Sequence, residues 1–230
     1  MDVIFSSSRG RDLYSPLSKL HRDPEYLYIY TRGGATLKSL QYAAYDYLDW
    51  TSDPTNCHVY FVAGMCDLTF KDTDRRWSHK EKYEEVLFKG SALDTITRMT
   101  HLIDCISGHT LFMGAKPCFA TILPMSLRTW NNYRLEQGIT SFLLHHNHYV
   151  EMQEAMNFAI RKINQHIHAV NASNTMVTPS LASSVVEYRG LKKPRVYYSR
   201  FTDGVHPGED LIEKWAKLLD RAIVRNRSRY

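Results

Sequence analysis

Two segments of the chain, almost two hundred residues apart, carry side chains that could act together in covalent catalysis. The first is the apolar run Val3–Phe5, which ends in three serines at positions 6, 7 and 8. The second is the segment DGVHP at positions 203–207. A serine hydroxyl offers a nucleophile, a histidine ring offers the base that activates it, and a carboxylate can orient that ring. Together the two segments predict a Ser-His-Asp triad that is split across the chain.

The spacing inside the second segment favours this chemistry. Asp203 lies three residues before His206, so a tight turn can bring its carboxylate to the second ring nitrogen of the histidine. Gly204 permits such a turn, and Pro207 suits the first position of the helix that follows. The same string is also typical of an ordinary loop that leads into a helix. The catalytic interpretation therefore depends on what the rest of the chain places beside it.

Apolar runs alternate with helical patterns along the chain. The runs predict short strands at Asp2–Phe5, Tyr26–Tyr30, Cys57–Ala63, Lys116–Leu123 and Thr175–Val177. Helical spacing predicts helices over 35–50, 83–106, 151–168 and 211–224, with a charged loop at 71–82 and a surface loop or short helix at 125–138. This alternation predicts an α/β fold: a three-layer α/β/α sandwich around a parallel sheet of about five strands. We expect one domain over residues 1–230.

The predicted topology brings the residues of interest to one edge of the sheet. In parallel sheets, ligands bind at the carboxyl ends of the strands. The serines end the first strand, Gly33 and Gly34 follow the second, and the segment AGMCD at 63–67 follows the third. We expect the residues that line the pocket to lie in 70–80 and 125–150.

The order of these blocks resembles the SGNH (GDSL-like) hydrolase family. That family carries a serine after its first strand, a glycine after its second, G-x-N-D after its third, and D-x-x-H before its last helix. The resemblance covers nearly the whole chain and implies a flavodoxin-like fold. It also implies a serine esterase that cleaves an acetyl or other acyl ester through an acyl-enzyme on Ser8. Asp203 and His206 complete the implied triad, and no metal or organic cofactor is implied.

The same resemblance implies an oxyanion hole. Its donors would be the backbone N–H of Ser8, the backbone N–H of Gly34 (or of Gly33 if the register slips by one), and the side chain at position 66. The family has Asn at this last position, whereas this chain has Cys66, and a thiol is a weak hydrogen-bond donor. Arg9 and Gly33 are predicted to contact substrate, Arg9 through an anionic group. Such an arginine more often simply pairs with surface acids.

Two functions from different classes remain open at this point. One is an active ester hydrolase. The other is a binding module whose site has decayed, since Ser6, Ser7 and Cys66 replace family residues. SGNH-like domains also occur in proteins of mobile elements, where such a module could contact nucleic acid or a protein partner. Four arginines at 221, 225, 227 and 229 form a basic end (221–230) that could make this contact, or simply a solvated helix end.

Composition excludes several other classes. The net charge of +5 is mild, and no run of about 18 apolar residues predicts a membrane span. The N-terminus lacks a signal-peptide pattern, and the four cysteines lack the C-x-x-C spacing of a zinc or redox site, so we expect an intracellular, cytoplasmic location. The cluster His145-His146-Asn147-His148 has no obvious metal partners and is interpreted as loop histidines. The oligomeric state is not predicted.

Overall fold

The computed structural model describes residues 1–73, 82–187 and 194–228. Its strands, in chain order, are β1 (Asp2–Ser7), β2 (Leu27–Arg32), β3 (His58–Val62), β4 (Thr69–Asp72), β5 (Glu85–Phe88), β6 (Lys116–Phe119), β7 (Val186–Glu187) and β8 (Arg195–Val196). Its α-helices are α1 (Tyr14–Leu20), α2 (Leu37–Trp50), α3 (Met65–Leu68), α4 (Ala92–Phe112), α5 (Leu127–Glu136), α6 (Tyr149–Ser173) and α7 (Glu209–Arg227).

The central sheet is parallel, with the strand order β2-β1-β3-β6. Its inner strands β1 and β3 are buried on both faces, which is the usual environment of an all-parallel sheet. Alternate residues of β1 enter different cores. Val3 and Phe5 pack with α2, α4 and α6, while Ile4 packs with α1 and α7. The sheet is therefore covered by helices on both sides, and the predicted three-layer α/β/α fold is confirmed.

The described sheet has four strands, slightly fewer than the five expected. The outer edge of β6 is covered by amide side chains of α6 instead of another strand. Asn171 accepts a hydrogen bond from the N–H of Phe119 (2.9 Å) and donates to its carbonyl (2.7 Å). Asn164 does the same for Ile122, at 2.6 and 2.9 Å. These bonds satisfy backbone groups that a fifth strand would otherwise pair.

Two predicted elements were wrong. Thr175–Val177 is not a strand, because the N–H of Val177 donates to the Asn226 side chain (2.6 Å) and that of Met176 to the Asn171 carbonyl (2.7 Å). The helix predicted over 83–106 begins only at Ala92. Its first part is strand β5, which forms an antiparallel hairpin with β4. Part of the predicted loop at 71–82 is β4, and residues 74–81 of it lie outside the described residues.

The remaining helices agree closely with their sequence patterns. Helix α2 starts at Leu37, two residues after the predicted start. Helices α6 and α7 cover the predicted ranges 151–168 and 211–224 and extend beyond them at both ends. The uncertain segment 125–138 contains helix α5. Within the described ranges, no helix combines the length and apolar character that crossing a bilayer requires.

Candidate active site

The three serines that end β1 have different environments. Ser6 is fully buried, and its hydroxyl donates to the carbonyl of Val62 on the neighbouring strand (3.1 Å). Ser7 is also buried. Ser8 is the partly exposed member of the trio and begins a 3-10 helix over Ser8–Leu13. Of these hydroxyl groups, that of Ser8 is therefore the one available to a substrate.

Asp203 and His206 form a tight hydrogen-bonded unit before α7. Oδ1 of Asp203 accepts the backbone N–H groups of Val205 (2.9 Å) and His206 (2.7 Å), and its Oδ2 lies 2.6 Å from Nδ1 of His206. Partial burial raises the pKa of Asp203, but the bonds from His206 and Val205 outweigh it and leave that pKa below its usual value. An ionised carboxylate only accepts, so Nδ1 donates and Nε2 is left as the basic nitrogen.

The turn that creates this unit needs a glycine and is anchored to α5. Gly204 has a φ of +86°, and a Cβ there would lie 2.8 Å from Cβ of Thr129. Its carbonyl accepts the N–H of Ser126 at 3.0 Å. Trp130 of the same helix contacts the His206 ring edge-on, with ring centroids 5.6 Å apart. Helix α5 therefore supports the histidine from one side.

A cavity of about 320 Å³ unites residues from the predicted blocks. Ser8, Gly34, Cys66 and His206 all line it. The Ser8 hydroxyl makes no hydrogen bond to any described residue, so it shares the cavity wall with His206 without a hydrogen bond between them. Catalytic hydrogen bonds are often long or poorly aligned before substrate binds, so this arrangement is compatible with a triad.

Gly33 and Gly34 form the turn between β2 and α2. The N–H of Ala35 closes it by donating to the carbonyl of Arg32 (3.2 Å). Gly34 has a φ of +69°, and apart from its two chain neighbours no described residue lies within 4 Å of the position that a Cβ would take. Its backbone is therefore open to the cavity that it lines. Gly33 is exposed and does not line that cavity.

Cys66 and Asp67, which follow β3, have different surroundings. Cys66 is partly buried on the cavity wall, and this burial raises the pKa of its thiol, so the thiol is protonated at neutral pH. Asp67 is buried away from the cavity, and its Oδ2 accepts the N–H of Leu37 at 2.8 Å. That bond ties the start of α2, and with it the Gly34 turn, to the segment that carries Cys66.

Arg9 is buried beneath the serine loop. Its Nη1 and Nη2 donate to the carbonyls of Leu123 (2.8 Å) and Pro124 (3.3 Å), and its guanidinium lies 5.6 Å from the Phe201 ring centroid. Burial lowers the pKa of Arg9 to about 10, although Cys66 and Asp203 oppose this effect. The side chain does not line the 320 Å³ cavity, and its contacts brace the loops that carry Ser8 and Asp203.

Several cavity residues come from elements that the sequence placed only roughly. Phe70 and Lys71 belong to β4, and Met125, Trp130 and Arg134 belong to α5 or its approach. All five fall inside the ranges 70–80 and 125–150 that were expected to line the pocket. Val86 of β5 was missed. Its apolar neighbours Leu87 and Phe88 are a strand signal, but they merge with the helical pattern that follows.

The other candidate features do not converge on a site. Within the described ranges, no group of three or more His, Cys, Asp or Glu side chains could hold a metal ion. His145 lies beside Asp72, with Nε2 and Oδ2 3.3 Å apart. Among the basic C-terminal residues, Arg227 pairs with Asp2 (2.5 Å) and Asp23 (3.1 Å), and Arg229 lies outside the described residues. The predicted nucleic-acid contact stays a prediction.

Comparison with known proteins places the chain by its fold. No protein-family model and no curated protein matches it. A GDSL-like lipase from Bacteroides thetaiotaomicron matches with a TM-score of 0.58 and 14% identity over 96% of this chain and 87% of its own. A member of the lipolytic G-D-S-L family from Veillonella parvula matches with a TM-score of 0.54 and 11% identity, covering 100% of this chain and 98% of its own.

An acetyl xylan esterase is also similar, with a TM-score of 0.52 and 15% identity over 97% of this chain and 100% of its own. At these identities the likeness concerns the fold. Nothing in these matches supports the mobile-element comparison. The resemblance predicted from the sequence blocks is confirmed at the level of architecture, and the chain has the three-layer fold of the SGNH (GDSL-like) hydrolases.

Proposed function

We propose that the protein is a serine ester hydrolase, with Ser8 as nucleophile, His206 as general base and Asp203 as the residue that orients the base. The observation that carries this proposal is the Asp203–His206 pair, whose 2.6 Å bond leaves Nε2 of His206 as the basic nitrogen. The partly exposed Ser8 shares a cavity with His206, which also supports it. The fold neighbours named as a lipase and an acetyl xylan esterase agree with an ester substrate.

In the proposed reaction, Oγ of Ser8 attacks the ester carbonyl carbon, and its proton passes to Nε2 of His206. The resulting imidazolium is stabilised by the Asp203 carboxylate. Collapse of the tetrahedral intermediate breaks the bond to the alcohol, which leaves with the proton held by His206. Water then attacks the acyl carbon and gives a proton to His206, which passes it to Oγ of Ser8 as the acyl–serine bond breaks and the acid leaves.

The negative charge of the intermediate needs donors. The proposed donors are the backbone N–H groups of Ser8 and Gly34. The positive φ and open surroundings of Gly34 allow a substrate oxygen to approach its backbone closely. The Cys66 thiol occupies the third position and is a weak donor. We therefore expect a slower enzyme than one with an amide there. Loss of a single oxyanion donor costs about 10²- to 10³-fold in rate.

The cavity favours a small acyl group, because its volume of about 320 Å³ lies at the low end of the about 300–1,000 Å³ range of ligand sites. Its walls include the apolar side chains of Phe70, Val86 and Met125, and Lys71 and Arg134 add positive charge. Glu84 offsets much of that charge, because it pairs with Lys71 at 3.0 Å and with Arg134. The proposed substrate is thus an acetyl or other short acyl ester. Because the positive charge is largely paired, the acyl chain need not carry a negative charge.

The test is hydrolysis of p-nitrophenyl acetate by the wild type, Ser8→Ala and Ser7→Ala. Ser7 is the buried neighbour, so its variant controls for disturbance of the loop. We expect turnover by the wild type, at least about a 10³-fold loss of kcat in Ser8→Ala, and a much smaller loss in Ser7→Ala. If the folded wild type hydrolysed neither p-nitrophenyl acetate nor p-nitrophenyl butyrate, the proposal would be contradicted and the binding-module alternative would stand. Equal activity in the wild type and Ser8→Ala would contradict the role of Ser8.

A further inference from the structure

A second concave surface lies beside the sheet edge, away from the candidate active site. This groove has a volume of about 540 Å³ and shares no lining residue with the cavity around Ser8. Its aromatic walls are Tyr28 and Tyr30 from β2 and Tyr47 and Trp50 from α2. β2 is an outer strand of the central sheet, so the groove opens to solvent. We refer to it below as the aromatic groove.

The sequence places these rings on one surface by simple periodicity. Tyr28 and Tyr30 are two residues apart in a strand and therefore share a face, the one that Val3 and Phe5 of β1 also present to α2. Helix α2 presents three residues at helical spacing to that face of the sheet: Ala43, Tyr47 and Trp50. The rings of Tyr28 and Tyr47 stack with centroids 5.0 Å apart and an interplanar angle of 24°.

Core packing does not account for the outer part of this surface. Trp50 is 91% exposed at the last position of α2, and Tyr28 is 38% exposed. An exposed ring of this size, beside other rings and a concavity, is typical of a binding surface. The volume also falls within the about 300–1,000 Å³ range of small-ligand sites.

The charges of the aromatic groove restrict its ligand. Asp46 is the charged residue among the described residues that line it, and none of them is Lys, Arg or His. Nucleic-acid bases also stack on aromatic rings, but their phosphates need a cationic track that this surface lacks. Anionic lipid headgroups are disfavoured for the same reason. A neutral ligand with an apolar face and many hydroxyl groups fits best.

We propose that the aromatic groove binds a neutral carbohydrate chain. The C–H face of a pyranose ring packs on Trp50 or on the Tyr28–Tyr47 pair, and the exposed Asp46 carboxylate accepts hydrogen bonds from the sugar hydroxyls. Tyr30 precedes Gly34 by four residues, a reach of at most about 14 Å along an extended chain. The Tyr30 end of the groove therefore lies close to the cavity around Ser8, whereas Trp50 lies at the far end of α2. The binding itself does not depend on catalysis by Ser8.

Calorimetric titration of the Ser8→Ala protein with xylohexaose, mannohexaose, cellohexaose and chitohexaose tests this proposal without turnover. We expect at least one of these sugars to bind with a Kd below about 1 mM. Trp50→Ala and Tyr28→Ala should each weaken that binding by about tenfold or more. Tyr42→Ala is the matched control, because Tyr42 is 58% exposed on the same helix but does not line the groove. The affinity of Tyr42→Ala for the sugar should equal that of the Ser8→Ala protein without this change.

Failure of all the sugars to bind folded protein at several times that concentration would overturn the proposal. So would binding that persists unchanged in both Trp50→Ala and Tyr28→Ala. Analytical sedimentation of the wild type and of Trp50→Ala supplies a further check. If the wild type were a dimer and Trp50→Ala a monomer, the aromatic groove would be assigned to a second copy of the chain and the carbohydrate proposal would be overturned. Because all titrations use Ser8→Ala, their outcome is independent of whether the wild type hydrolyses esters.

Discussion

Replacement of Asp203 by asparagine tests how the histidine is oriented. Oδ1 of Asp203 accepts two backbone N–H groups, at 2.9 and 2.7 Å, so the introduced amide must keep its carbonyl oxygen at that place. Its NH₂ group then faces Nδ1 of His206, where the carboxylate oxygen lay at 2.6 Å. Two donors cannot face each other, so Nδ1 becomes the acceptor and the ring proton moves to Nε2. The nitrogen that should receive the Ser8 proton is then already protonated.

We expect kcat for p-nitrophenyl acetate to fall about 10³- to 10⁴-fold in Asp203→Asn, the loss typical of a triad histidine in the wrong tautomer. The free energy of unfolding should fall by only about 1–2 kcal/mol, because the amide retains the two backbone bonds. Asp210→Asn is the control, since Asp210 is an exposed acid in the first turn of α7. A loss of less than about tenfold in folded Asp203→Asn would refute this reasoning.

Three further predictions follow from the surroundings of the site. Cys66→Asn should raise kcat/KM for p-nitrophenyl acetate by about tenfold or more, because an amide is a better donor to the oxyanion than a thiol, whereas Cys66→Ala should not raise it. The absence of a gain in Cys66→Asn would mean that position 66 does not face the developing oxyanion. Gly204→Ala should lower the free energy of unfolding, measured in urea, more than Gly138→Ala, because both glycines have positive φ but only a Cβ at 204 meets neighbours, at 2.8–3.2 Å. Equal losses would argue against the tight packing of the turn. Burial raises the pKa of Asp67 to about 6, so its contribution to stability is present below about pH 4 and is lost as pH rises through 6. The free energy of unfolding, measured by urea titration at several pH values, should therefore vary less with pH in Asp67→Asn than in the wild type, by about 3 kcal/mol. Identical pH profiles of the two proteins would contradict this.

The sequence was most informative where local pattern and chain order coincide. Ser8 follows a strand, Gly34 lies in the turn before a helix, and His206 precedes the last helix. A parallel sheet brings such positions to one edge whatever the details of the loops. This is why four blocks that are weak individually still predicted the fold and, from each block, one residue that lines the same cavity.

The features that the sequence could not predict depend on long-range side-chain bonds. Asn131 of α5 bonds to both backbone groups of Val86 (2.8 Å each), which holds β5 beside the cavity. Asn171 similarly occupies the sheet edge where another strand was expected. An isolated asparagine in a helical pattern gives no sign of such a partner. The burial of Arg9 was equally hidden, because its acceptors are carbonyls more than a hundred residues away.

The most direct test of the central claim is to trap the nucleophile. The wild type, Ser8→Ala and Ser7→Ala are treated with a fluorophosphonate probe, and the labelled peptide is identified by mass spectrometry. Attack by an activated serine on phosphorus would break the P–F bond, expel fluoride and leave a covalent phosphonate ester on the serine. We predict one adduct, on Ser8, in the wild type and in Ser7→Ala, and no adduct in Ser8→Ala. An adduct that persists in Ser8→Ala, or the absence of labelling in folded wild-type protein, would contradict the assignment of Ser8 as an activated nucleophile.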